Sequence, residues 1–201
     1  MRSQLAGKWI WIVLTLPALA IAVQGVTSED PHIVHNLLEP SGEASARLLI
    51  IALCATPLSL LLPGWRGPRF LVRNRRAIGV AAFAYACLHL LLYIGSLDGM
   101  AALLAQFGWT YILLGWVAFV LMVPLAATST NRAAQWLGRN WKRLHRLAYL
   151  AAAATFLHWL AVYGLSMTTN VVLNFSPILL LAAARFWRKW RGAQPRSDLS
   201  T

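Results

Sequence analysis

The sequence predicts an all-α, polytopic membrane protein: a bundle of six transmembrane helices with both termini cytoplasmic. Three observations predict it. The 201 residues are 59% hydrophobic and 12% charged, with six acids in all, more apolar surface than one soluble core can hide. Six apolar stretches, at residues 9–26, 44–62, 77–97, 107–127, 147–165 and 167–184, approach the ~20 residues that cross ~30 Å of hydrocarbon. Finally, charge alternates from one connecting segment to the next.

The first stretch follows Arg2 and Lys8. Ending in Ala18, Ala20 and Ala22, it also has the look of a secretory signal with a cleavage site, but the run is long for a signal core, and Trp11 and Pro17 are tolerated in a permanent span. The second contains Arg47 near its start. Between the second and third lie Arg66, Arg69, Arg73, Arg75 and Arg76, and between the fourth and fifth lie Arg132, Arg139, Lys142, Arg143 and Arg146. The sixth, interrupted by Asn170, Asn174 and Pro177, is the weakest, and Arg185, Arg188, Lys189, Arg191 and Arg196 follow it. Glu29, Asp30, Glu39, Glu43 and Asp98 occupy the alternate segments. Seventeen of the eighteen basic residues therefore fall on one side and five of the six acids on the other. The excess of Lys and Arg on cytoplasmic loops fixes the orientation, and cytoplasmic termini require an even number of crossings.

The same placement explains the formal charge of +12. Cationic segments that flank apolar spans face lipid headgroups rather than nucleic acid. Residues 1–191 read as a single transmembrane domain and residues 192–201 as a short polar tail. No phosphate loop, dinucleotide fingerprint or nucleophile elbow is present. Cys54 and Cys87 stand alone in the second and third spans, as small buried hydrophobes do.

The histidines carry the chemistry. His32 and His35 lie in the first outer segment, where water is available. His89, His145 and His158 require a membrane argument, because an ionisable group inside a bilayer is costly and by default functional. His89 lies thirteen residues beyond Arg76, and His158 thirteen residues beyond His145. At 1.5 Å per residue both imidazoles sit ~20 Å from the inner edge, at one depth on separate helices. Haem b asks for that arrangement: two neutral imidazoles, no CxxCH attachment site, and small residues beside a flat macrocycle, such as Ala151, Ala152, Ala153 and Ala154. A helix-to-helix hydrogen bond between two buried histidines is the plainer alternative.

A second site is expected at the inner edge. Arg75 precedes His89 by fourteen residues, which leaves the two about 40° apart on one helical stripe. It is level with His145. The pair suits a second haem, a flavin phosphate or a quinone, with Arg75 supplying an anion contact. Thirteen residues on an ideal helix rotate by ~140°, so His145 and His158 share a face only if the helix bends or begins after His145.

Several segments resemble a known family: TPL at 56–58, RRAIG at 75–79, CLHLLLY at 87–93, AATST at 126–130 and LGRNWKRLHRLAYL at 137–150, followed by His158. They are similar to the haem-binding membrane subunit of the bacterial periplasmic methionine sulfoxide reductase system, within the ferric reductase-like transmembrane superfamily. The resemblance implies a six-helix b-type cytochrome of the bacterial inner membrane with one or two haems. It implies electrons taken from the quinol pool or from a cytoplasmic flavin reductase and passed to a periplasmic molybdopterin reductase subunit. By position, His89 and His158 match the family's buried haem ligands and His145 its third histidine. The family is also associated with FMN, for which only the basic loops offer contacts. The chain departs from the family at LEPSG, residues 38–42, where a histidine is common, and this falls on the surface a periplasmic partner would meet. Two other readings therefore stand: a ferric reductase-like haem oxidoreductase with another acceptor, and a non-redox transporter or assembly protein. A carrier should show paired half-repeats, and none is visible.

Overall fold

The computed structural model describes residues 2–164 and 168–192, and every element among them is a helix or a connecting turn. The order is α1 (Arg2–Thr27), α2 (Ile33–Asn36), α3 (Leu38–Leu61), α4 (Arg66–Gly95), α5 (Met100–Gln106), α6 (Thr110–Ala127), α7 (Asn131–Leu137), α8 (Arg139–Leu144), α9 (Leu147–Tyr163) and α10 (Thr168–Gly192). Each of the six expected apolar stretches lies on one of the long helices α1, α3, α4, α6, α9 and α10. Leu165 and Met167, bounds of the last two stretches, and residues 193–201 of the tail lie outside the described residues.

Among the described residues, four segments are long and apolar enough to cross a membrane: Trp9–Thr27, Ile33–Leu61, Arg66–Gly95 and Thr110–Ala127. The 17-residue α9 and the apolar part of α10, Thr168–Ala184, are shorter, at the lower limit of ~17 residues for a spanning helix. Two of the boundaries that differ from expectation bear on the site. Helix α3 starts at Leu38 rather than residue 44, so Glu39 and Glu43 belong to a helix instead of a loop; Pro40 is tolerated because a first turn has no intrahelical partner for its missing N–H. Helix α4 starts at Arg66 rather than residue 77, placing all five arginines of that segment on one continuous rod.

The most extensive packing joins α3 to α4 and α6 to α9. These two pairs meet through a layer of small residues and one flexible one: Leu49, Ala82, Met122, Ala151 and Ala152. Ala82 and Ala151 are completely buried, and side chains this small let backbones approach closely where lipid offers no hydrophobic drive for association. The Ser45 hydroxyl donates to the Ala82 carbonyl at 2.9 Å, tying α3 to α4 at the same level. Helix α10 closes the other side of α3 and α9 through Val171 and Phe175, which pack against Ile50, Cys54 and Trp159.

Helix α1 is attached to α4 by an unusual device. Pro17 interrupts α1, and proline strains the helical ladder around it. The Tyr85 hydroxyl enters the gap, accepting from the Ala18 N–H at 2.8 Å and donating to the Leu14 carbonyl at 2.7 Å. These are the two partners of an ordinary i→i−4 bond, so a side chain of α4 completes the ladder of α1.

Candidate functional site

His89 lies six residues from the end of α4, and His158 five residues from the end of α9. Both are therefore about 8–9 Å below the same face of the bundle, as the depth count predicts. Their rings face one another with centroids 6.3 Å apart and planes at 78°. Each ring is fixed from behind. His89 Nδ1 is 2.9 Å from the Leu38 carbonyl and 3.2 Å from Ser41 Oγ; because the Ser41 hydroxyl donates to the same carbonyl at 2.8 Å, the imidazole is the donor in both contacts. His158 Nδ1 donates to the Tyr111 carbonyl at 2.6 Å. With Nδ1 carrying the proton, Nε2 carries the lone pair in both rings, the tautomer that second-shell carbonyls impose on metal-ligating histidines. Instead of bonding each other, the two histidines each bond a neighbouring helix.

Two glycines make room for the rings. A Cβ on Gly42 of α3 would stand 3.0 Å from His89 Nδ1, and one on Gly115 of α6 would stand 3.1 Å from His158 Nδ1 and Cε1. The arrangement is paired: α3 supplies carbonyl, hydroxyl and glycine to the histidine of α4, and α6 supplies carbonyl and glycine to the histidine of α9.

Between the pairs lies a cavity of about 980 Å³ that both histidines line, at the upper end of the ~300–1,000 Å³ usual for cofactor sites. On the inner side of the histidines its walls are largely apolar, with Ala86, Ala118, Phe119 and Met122; on the outer side they include Glu39, Glu43, Tyr93, Gln106, Tyr111 and Tyr163. Phe119 stacks on Phe83 at 5.5 Å, and Trp116 meets Phe119 edge to face at 6.4 Å, which stiffens the seam between α4 and α6.

The fit to haem can be tested on this geometry. A metal bonded at ~2 Å to the Nε2 of each of two opposed imidazoles holds the ring centroids ~6 Å apart. The observed 6.3 Å meets that requirement, and the tautomers and glycine clearances agree with it. The expected alanine lining is corrected. Ala151, Ala152 and Ala154 are buried while Ala153 is exposed, and none of the four lines the cavity; Ala151 and Ala152 serve the helix packing beneath it. Gly42 and Gly115 provide the space instead.

The inner residues are placed differently. His145 caps α8, and α9 begins at Leu147, so the helix starts after His145 as the rotation argument requires. Its ring stacks on Trp141 at 4.0 Å and 28°, and its Nε2 donates to Thr128 Oγ1 at 3.2 Å, whose own proton goes to the Pro124 carbonyl at 2.6 Å. The Trp141 indole N–H donates to the Thr128 carbonyl at 3.0 Å, and the Arg76 guanidinium lies over the Trp141 ring at 5.9 Å. Arg75 turns the other way, donating to Thr56 Oγ1 on α3 at 3.1 Å. Arg76, which the sequence did not single out, is thus the arginine that organises the His145 corner. Burial, then the charges of Arg76 and Arg75, hold the His145 pKa below its ordinary value.

His145 does not line the cavity, and neither does Arg75. Among the described residues no group of three or more His, Cys, Asp or Glu side chains gathers as a metal site. His35 lines the outer cavity, whereas His32 does not. The Leu38 and Tyr111 carbonyls were invisible in the sequence, because backbone acceptors leave no residue signature. Gly42 and Gly115 did leave a signal, since an isolated glycine inside a helical run asks for a packing or functional reason.

The ferric reductase like transmembrane component matches residues 41–156. The protein-methionine-sulfoxide reductase heme-binding subunit MsrQ of Caulobacter vibrioides is 32% identical over 95% of this chain and 90% of its own length. The subunit of the same name from Ralstonia nicotianae is 33% identical over 92% of this chain and 86% of its own length. That from Rhodospirillum rubrum is 40% identical over 92% and 88%. No solved structure matches.

Proposed function

Because the chain belongs to the ferric reductase-like transmembrane family, and within it to the heme-binding subunits of protein-methionine-sulfoxide reductase, we propose that it is the haem b electron-transfer subunit of such a system. Haem supplies reversible one-electron chemistry when bound. The observation that carries this reading is the facing pair, His89 and His158, at 6.3 Å with both Nδ1 protons taken up by backbone carbonyls.

The residues divide the work by position. His89 and His158 would hold the haem iron through their Nε2 atoms. The Leu38 and Tyr111 carbonyls fix their tautomers and raise the basicity of Nε2, which favours the ferric state. Ala86, Ala118, Phe119 and Met122 keep water from the inner half of the cavity, so that electrons leave without competing proton or oxygen chemistry. At the inner rim Arg75 and His145 are bonded to Thr56 and Thr128, and each would have to give up that partner to receive FMN by its phosphate, a quinone or a second haem.

The wider setting follows the same reading. Residues 1–191 form one domain that crosses a bacterial inner membrane six times with both termini cytoplasmic. The donor is the quinol pool or a cytoplasmic flavin reductase. The acceptor is a periplasmic molybdopterin reductase subunit, which meets the face formed by α2, α5 and the start of α3. Positive loops on one side and acids on the other support that direction.

A reduced-minus-oxidised spectrum of the purified protein in detergent tests the proposal. A low-spin b-type signature is expected; its absence from protein carrying a full complement of added haem would overturn the reading.

A further inference from the structure

The cavity is more polar on its outer side than on its inner side, and the polar edges of its outer half differ in charge. This inference rests on the haem reading above. Along α3 and α9 the outer wall carries Glu39 and Glu43. Glu43 is salt-bridged to Arg47 at 2.9 Å, and Glu39 is bonded by the Tyr163 hydroxyl. Along α4, α5 and α6 it carries Tyr93, Gln106 and Tyr111 instead. Tyr93 is one helical turn outward from His89, and Tyr111 one turn outward from Gly115, so both stand on the outer side of the imidazoles. The Tyr93 hydroxyl donates to Gln106 Oε1 at 3.2 Å, which leaves the two amide donors on Gln106 Nε2.

A protohaem is itself one-sided, with two carboxylates on one edge and hydrocarbon on the rest. Its carboxylates are costly against the apolar inner walls and are repelled by Glu39 and Glu43. Among the described residues no lysine or arginine lines the cavity; His35 and Asn36 of α2 also belong to its polar lining, and the Asn36 amide is already bonded to Asp30. The remaining edge offers hydrogen-bond donors without negative charge. We infer that Gln106 and Tyr111, with Tyr93 holding the Gln106 amide in position, form the carboxylate-binding edge of the haem site and set the orientation of the macrocycle. Gln106 and Tyr111 bind the carboxylates; Tyr93 is a positioning residue that acts through Gln106.

The test compares protohaem with its dimethyl ester, which has the same iron and ring but no carboxylate charge. The apo form of the full chain in detergent is loaded with each, and loss to excess apomyoglobin is timed. For the native sequence, protohaem should be retained about tenfold longer than the diester, the size of one charge-assisted hydrogen bond. Gln106→Leu with Tyr111→Phe should lose both at the same rate, while taking up the diester in native amounts, which shows the fold intact. Glu39→Gln should keep the native discrimination or widen it. Gln106→Glu is the second probe: it keeps the shape and should speed loss of protohaem alone. Equal discrimination by the native sequence and the Gln106→Leu, Tyr111→Phe variant, or equal effects of Gln106→Glu on both compounds, would overturn the inference. Failure of the native chain to hold either compound would strike the haem reading itself.

Discussion

The outer and inner ends of the bundle hold the same residue type and treat it in opposite ways. At the outer level His89 and His158 point their rings at one another across a cavity, and every feature behind them fixes orientation: carbonyls on Nδ1, Ser41, and the glycines 42 and 115. Their Nε2 atoms make no hydrogen bond to each other and keep their lone pairs. At the inner level His145 is stacked on Trp141 and bonded through Nε2 to Thr128, and Arg75 bonds Thr56. That corner is satisfied by its own protein contacts. A site prepared for a ligand shows oriented groups with free valence around a space, whereas a structural histidine spends its valence on neighbours.

The largest effect that separates the two levels is removal of the imidazoles. His89→Ala and His158→Ala should each abolish the b-type absorbance of the purified protein, and His145→Ala should leave the cavity signal intact. Equal loss in all three would erase the distinction. Next come the glycines. Gly115→Ala and Gly42→Ala each place a methyl group about 3 Å from an imidazole, an overpacking of about 1–3 kcal/mol. Haem content measured by pyridine haemochrome should fall several-fold, while Gly79→Ala on α4, where an added Cβ meets nothing within 4 Å, should keep it.

The inner level has a smaller, pH-dependent signature. The His145 pKa is lowered in the fold, so the unfolded chain binds more protons near pH 6. Stability from this group is full above its unfolded pKa near 6.5 and is lost as pH falls through the folded value. The native sequence should therefore lose thermal stability on acidification from about pH 7 to pH 5 more steeply than His145→Gln. Identical slopes would remove the corner from the account. The smallest effect is that of Thr128→Val, which deprives His145 Nε2 of its acceptor at a cost of about 1 kcal/mol, read as a slightly lower melting temperature with an unchanged haem spectrum.

Much of this was legible beforehand. Apolar run length and the sidedness of charge specify a helical membrane bundle because hydrocarbon enforces internal backbone bonding and rejects charge. The equal thirteen-residue spacing of His89 and His158 from the basic edge gives a shared depth because the rise of a helix is constant. The rotation argument at His145 is legible for the same reason. The early start of α3 was not, since Glu39, Pro40 and Glu43 read as a polar loop, and only packing against α2 and α4 shows them as a helix. Nor was the choice between adjacent arginines: Arg75 and Arg76 differ by about 100° around α4, and which one meets Trp141 depends on where α7 and α8 return.

Sequence alone therefore determined what is periodic or additive along one chain: the helical membrane class, the alternation of charge between segments, and the shared level and identity of the paired histidines. Tertiary structure decided what depends on two segments meeting: that the Leu38 and Tyr111 carbonyls hold Nδ1, that Gly42 and Gly115 rather than the alanines clear space for the rings, and that Tyr85 closes the gap at Pro17. It also decided that the outer cavity has one acidic edge and one edge of neutral donors. These are facts about facing surfaces, and the angle at which two helices present their surfaces is fixed only when they pack.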